Sequence, residues 1–144
     1  SLLLLIILKL IIIQIILGSF LSGLDGGLIY NTWPDMNGNF FPDDVYFKDI
    51  TNSQIFNNPS IIQFLHRSTG YLLLFFIIIL NYYFFKTGNE IKFILLFDLS
   101  ILIQIILGIV TLVSGVEIKY ASLHQLGSIL VLTSYILLYY KNSN

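Results

Sequence analysis

Apolar residues fall in four long runs, at about 2–23, 61–85, 91–113 and 121–140. Each is long enough to cross a bilayer as a helix, which takes about 20 residues. Between the second and third runs lies only the turn Thr87-Gly88-Asn89-Glu90, and the link from Ser114 to Tyr120 is similarly short. Links this short force antiparallel neighbours. The stretch 24–60 is the one long polar segment, rich in Gly, Asn, Asp and Pro. The pattern predicts an all-α integral membrane fold: an antiparallel four-transmembrane-helix bundle with a long extramembrane loop after the first helix. All of it is expected to form a single membrane domain, 1–144.

Composition supports this. The chain is 56% hydrophobic and 10% charged, with a mean hydropathy of +0.86. Soluble domains carry about 25% charged residues, so lipid must cover much of this surface. The net charge is −1 without a basic run, which gives no footprint for nucleic acid. There is no Cys, which removes disulfides, thiolate metal sites and covalent haem attachment. The first residue is Ser1, and the chain reads as the rear part of something longer.

Lysines set the expected orientation. Lys86, Lys92 and Lys141, with Lys9 if it snorkels, fall on one side. Opposite lie Lys48, Arg67 and Lys119 against Asp25, Asp35, Asp43, Asp44, Asp49 and Glu117. The first side is the cytoplasmic or matrix candidate. That puts loop 24–60 on the periplasmic or intermembrane side of a bacterial plasma membrane or mitochondrial inner membrane. Tyr82, Tyr83, Tyr139 and Tyr140 stand where an interfacial aromatic belt would.

An internal repeat carries the candidate chemistry. Residues 14–18 read Gln-Ile-Ile-Leu-Gly, as do residues 104–108, and Ser-Gly follows each copy at Ser22-Gly23 and Ser114-Gly115. In each case the next helix begins with a histidine, His66 or His124, the two histidines of the chain. The fold is thus one helical hairpin used twice in the same direction, related by an axis along the membrane normal. Such an axis brings equivalent positions of the second and fourth helices face to face. His66 lies about 29 Å of helix before Phe85 and His124 about 24 Å before Tyr140, so the imidazoles share a depth. Haem iron accepts an axial imidazole on either face, and Gly70, Gly127 and Ser128, one turn deeper, would leave room for a flat macrocycle. The reading is one haem b, its iron held by His66 and His124.

Other readings of these residues stay open. A lone histidine in a span is more often a packed, hydrogen-bonded side chain, and a proton relay competes for the pair, although relays usually add a carboxylate at matching depth. Arg67 suits a haem propionate or a lipid phosphate. Gln14 and Gln104 are expected to bond between helices. The pairs Gly18 with Ser22, Ser19 with Gly23 and Thr111 with Gly115 read as helix-packing surfaces. Lys9 and Asp98 precede their repeats by five and six residues, which predicts an ion pair between the first and third helices. In the loop, Leu28, Ile29, Tyr30, Trp33, Phe40 and Phe41 are too apolar for a free linker. They predict a lid packed on the outer end of the bundle, with a segment lying on lipid headgroups as the alternative.

The stretch from Gly18 to Met36, GSFLSGLDGGLIYNTWPDM, resembles the signature of the haem A synthase family. So do Asn37-Gly38-Asn39-Phe40-Phe41-Pro42, Phe56-Asn57-Asn58-Pro59 with Gln63-Phe64-Leu65-His66-Arg67, and Leu123-His124-Gln125. The resemblance implies one of two similar four-helix halves of an oxidoreductase that converts the C8 methyl of haem O to the formyl group of haem A. It is the C-terminal half that is resembled, and that half holds a haem b between two histidines, matched by His66 and His124. The other half takes the haem O substrate and carries a carboxylate in a Glu-x-x-His-Arg setting. Here the setting begins with Gln63, which cannot supply a carboxylate, so catalysis is expected to require the N-terminal half.

The partners this implies are that catalytic half, membrane lipid, haem O for the complete enzyme, and an electron donor protein. The competing functions are a stand-alone b-type membrane cytochrome and a non-haem membrane anchor or assembly subunit.

Overall fold

The computed structural model describes residues 2–46, 51, 55–88 and 91–143. Lys48 and Asp49 of the loop, and Asn89 and Glu90 of the second turn, lie outside the described residues. Four helices are long and apolar enough to cross a membrane: α1 Leu2–Gly23, α2 Pro59–Thr87, α3 Ile91–Val113 and α4 Ile118–Ser143. No strand occurs among the described residues. The all-α, four-span architecture expected from the apolar runs is what the chain adopts.

Two helices are longer than their apolar runs, because polar residues continue them beyond the hydrocarbon depth. Asn58 caps α2, its side chain accepting from the Ile61 amide at 3.1 Å, and Pro59 follows at the first helical position. Proline is suited to that place because its missing N–H would have no helical partner there. At the other end Gly88 adopts φ 71°, the left-handed conformation that ends helices at little cost in glycine. α4 begins three residues before its predicted start, at Ile118.

Packing separates into two hairpins. α1 packs along α2 and α3 along α4, with lesser contacts of α2 on α3 and α1 on α4. The helices therefore form a ring in chain order, with α1 diagonal to α3 and α2 diagonal to α4. Their shared core fills only the half away from the long loop. It comprises Leu4, Ile7, Leu10 and Ile11 of α1, Leu73, Ile77, Leu80 and Phe84 of α2, Ile94, Phe97 and Ile101 of α3, and Val131, Tyr135 and Leu138 of α4. Polar ties join the hairpins at this level. The Tyr135 hydroxyl donates to the Leu4 carbonyl, and Asn81 donates to Asp98 Oδ1 at 2.9 Å.

This corrects the expected Lys9–Asp98 ion pair. Among the described residues the ion pair formed is Lys119–Glu117, and Asp98 takes its hydrogen bond from α2 instead. Depth along the membrane matched Lys9 to Asp98, but their helices stand on a diagonal.

The long loop returns over the open end of the bundle. Asn31 Nδ2 donates to Gly27 O at 2.8 Å and to Leu112 O, near the end of α3, at 2.9 Å. Gln63 Nε2 reaches Tyr30 O at 3.0 Å, and Ser60 Oγ reaches Asp44 Oδ2 at 2.6 Å. The loop is thus pinned to both hairpins. Of the apolar residues expected to dock it, Tyr30 alone is buried, at 3% exposure, while Leu28, Ile29, Trp33, Phe40 and Phe41 stay exposed. Met36, Val45 and Pro42 do the packing instead. Phe40 and Phe41 still meet Phe64 edge-on, with centroids 6.1 and 5.0 Å apart.

Candidate haem-binding site

His66 and His124 stand just beyond the shared core, on the loop side of Leu73 and Val131. Their helices stand across the diagonal of the four-helix ring. Each ring rests on its own hairpin partner at the last residue of the repeated pentapeptide. A Cβ added to Gly18 would come within 3.3 Å of His66 Cε1, and one added to Gly108 within 2.9 Å of His124 Cε1. Any larger residue would push the imidazole aside. The sequence placed Gly18 in a helix-packing stripe and passed over Gly108. The available signal was their place in the repeat, at matching depth to the histidines.

The ring nitrogens are oriented by the helix they rest on. His124 Nδ1 lies 3.2 Å from the Gln104 carbonyl oxygen. His66 Nδ1 faces the backbone of Gln14, the equivalent residue, but is buried without a completed hydrogen bond. In both hairpins Nδ1 lies against the partner helix. An Nδ1–H bound to a carbonyl is the usual way a protein orients a metal-binding imidazole.

The neighbouring small residues serve a purpose that sequence did not suggest. Gly70 gives space to the tip of Gln14, since a Cβ there would lie 2.7 Å from its Nε2. Gly127 does the same for Gln104, whose Oε1 a Cβ would strike. Ser128 Oγ donates within its own helix to Gln125 O at 2.7 Å. Of the two glutamines expected to bond between helices, Gln104 does so, from Nε2 to His124 O at 2.9 Å.

Arg67 is committed largely to the loop. Nη1 donates to Thr32 O at 3.0 Å and Asp35 O at 2.8 Å, and Nη2 to Tyr30 O at 2.9 Å. Its Nε is buried with no partner. The guanidinium is therefore a latch on the backbone that crosses the histidine end of the bundle.

Around the latch, loop side chains hold shifted protons. Burial first, then the bonds to Asp44 and Asp43 at 2.7 Å each, pushes the Tyr30 hydroxyl well above its usual range. Burial raises the Asp44 carboxyl, but hydrogen bonds from Ser60 and Tyr30 outweigh it and hold it below the ordinary range. Asp35 is lowered as well, by the Gly38 amide and the Thr32 hydroxyl.

The donor set discriminates among ligands. No group of three or more His, Cys, Asp or Glu gathers among the described residues, so a bare metal ion would lack ligands. Two imidazoles suffice for an iron that brings four equatorial nitrogens in a porphyrin. The residues present fit a haem.

Comparison with known proteins identifies the family. Residues 1–136 match the model of the COX15-CtaA family, described as cytochrome oxidase assembly protein. A haem A synthase of Pelagibacter ubique is 72% identical over the whole of this chain and 43% of its own length. One from Wolbachia pipientis is 43% identical over 90% of this chain and 36% of its own length. The chain thus spans about two fifths of the length of these curated relatives. No solved structure matches it.

Proposed function

The chain belongs to the COX15-CtaA family of cytochrome oxidase assembly proteins, and on that footing we propose that it is the haem b-binding C-terminal half of a haem A synthase. It is an integral membrane protein by its four spans. The observation that carries the reading is the seating of His66 and His124 on equivalent glycines, Gly18 and Gly108, above a shared core that ends below them.

In this reading His66 and His124 would hold the haem iron through Nε2. Gly70 and Gly127, with Ser128 beside Gly127, make room for the α1 and α3 glutamines at that depth. Arg67 holds the loop over the same end, and its buried, unpartnered Nε leaves a donor to spare for a propionate. A haem b held by both histidines would supply one-electron transfer, with neither imidazole's place left for oxygen. Hydroxylation of a methyl group therefore belongs to the remainder of the enzyme, which takes haem O. Gln63 agrees with that division, since it donates from Nε2 to Tyr30 O and carries no carboxylate. The lysine distribution supports a loop on the periplasmic or intermembrane side, where an electron donor protein would approach.

Co-expression of this chain with the complementary half of a relative, followed by measurement of haem A formed from haem O, tests the assignment. Haem A made by the pair, lost when His66 and His124 are replaced, is expected. Undiminished conversion without this chain would overturn it.

A further inference from the structure

Gln104 grips His124 from two sides. Its backbone oxygen lies 3.2 Å from the ring Nδ1, while its side-chain Nε2 donates to the His124 carbonyl at 2.9 Å. The grip depends on Gly127, where a Cβ would strike Gln104 Oε1. One residue of α3 thus fixes both the ring and the backbone of one residue of α4. The repeat-equivalent Gln14 achieves less. Its side chain sits against Gly70, and His66 Nδ1 completes no hydrogen bond, although the side-chain Oε1 of both glutamines is buried without a partner.

We propose that Gln104 is a positioning residue that holds the His124 imidazole as the Nδ1–H tautomer, whereas His66 rests on Gly18 with its Nδ1 toward the Gln14 backbone and no completed hydrogen bond. That Nε2 of His124 then meets haem iron rests on the function proposed above; the tautomer does not. The two imidazoles are consequently unequal ligands. An Nδ1–H that donates to a carbonyl makes the ring a stronger base toward its metal, so His124 is the firm ligand and His66 the one that yields. Simple interhelical glue, the other use of a glutamine in a span, would tie α3 to α4 equally well with either tautomer.

The test uses the apo chain in lipid nanodiscs with ¹⁵N-labelled histidine, whose signals divide into two sets assigned by a His66→Gln variant. His124 is expected to carry its proton on Nδ1. In Gln104→Leu, and independently in Gly127→Ala, that signature should collapse to a mixture of tautomers. The His66 signals and the helical content should stay unchanged, and Gln14→Leu should leave His124 unmoved. A proton on Nε2 of His124 in the wild-type chain would overturn the proposal, as would an Nδ1–H signature surviving both variants. Collapse in the variants of a wild-type chain that takes up no haem would uphold Gln104 as the positioning residue and remove the haem reading.

Discussion

Gln63 Nε2 donates to the carbonyl of Tyr30 at 3.0 Å, joining a side chain only 1% exposed to a loop residue 3% exposed. This bond converts a polar connection of more than thirty residues into a cover for the histidine end of the bundle. A carboxylate at position 63 could not donate, and it would face the carbonyl with like polarity. Gln63→Glu is therefore expected to loosen the loop at a cost of about 1–3 kcal/mol, the usual penalty for stranding buried polar partners. Faster protease cleavage within 24–46, with the helices intact, is the readout. An unchanged cleavage rate would show that the bond does not hold the loop.

Glycine seats of unequal tightness predict unequal mutants. Ala at 108 would press the His124 ring at 2.9 Å, where Gln104 prevents it from moving, while Ala at 18 would meet His66 at 3.3 Å, a gap a small shift relieves. Gly108→Ala should destabilise the chain by about 1–3 kcal/mol, and Gly18→Ala by clearly less. Denaturation in mild detergent compares the two, and equal costs would contradict the seating.

Asn81 and Asp98 tie the hairpins at the opposite end. Asn81→Leu should cost about 0.6–2 kcal/mol, the range for hydrogen bonds between membrane helices. Asp98→Asn should cost less, because an amide oxygen still accepts from Asn81. Lys9→Met combined with Asp98→Asn should be additive, since Lys9 is no partner of Asp98; recovery in the double variant would restore the ion pair.

The loop also predicts a stability plateau in pH. Asp44 is held below its ordinary value in the folded chain. Its contribution is therefore present above the unfolded carboxylate range and lost as pH falls through the lowered value. Tyr30 is raised, so its contribution is complete below the unfolded tyrosine value near 10 and is lost only as pH rises through the folded one. Trp33, the single tryptophan, lies in this loop and reports it by fluorescence. Its emission should be flat from neutral pH to about 10 and change at the acid end, with Asp44→Asn blunting the acid change.

The spans were legible in the sequence because lipid demands uninterrupted apolar runs, and the repeat is what set His66 and His124 at equivalent positions. Azimuth was not legible. Depth alone matched Lys9 to Asp98, and it missed Asn81, which lies on the adjacent helix. In the loop, apolarity could not separate Met36 and Val45, which are buried, from Phe40, which is 70% exposed. Burial there is decided by which backbone carbonyls Arg67 and Gln63 capture. Gly18 looked like any small residue of a packing stripe until a ring was found against it.

The central claim, a haem b shared by His66 and His124, is tested most directly by the absorption spectrum of the purified, haem-supplied chain, oxidised and reduced. The comparison set is His66→Ala and His124→Ala. A low-spin b-type spectrum in the wild-type chain, abolished or turned high-spin by either substitution, is the predicted result. A low-spin spectrum that survives either substitution would contradict the account.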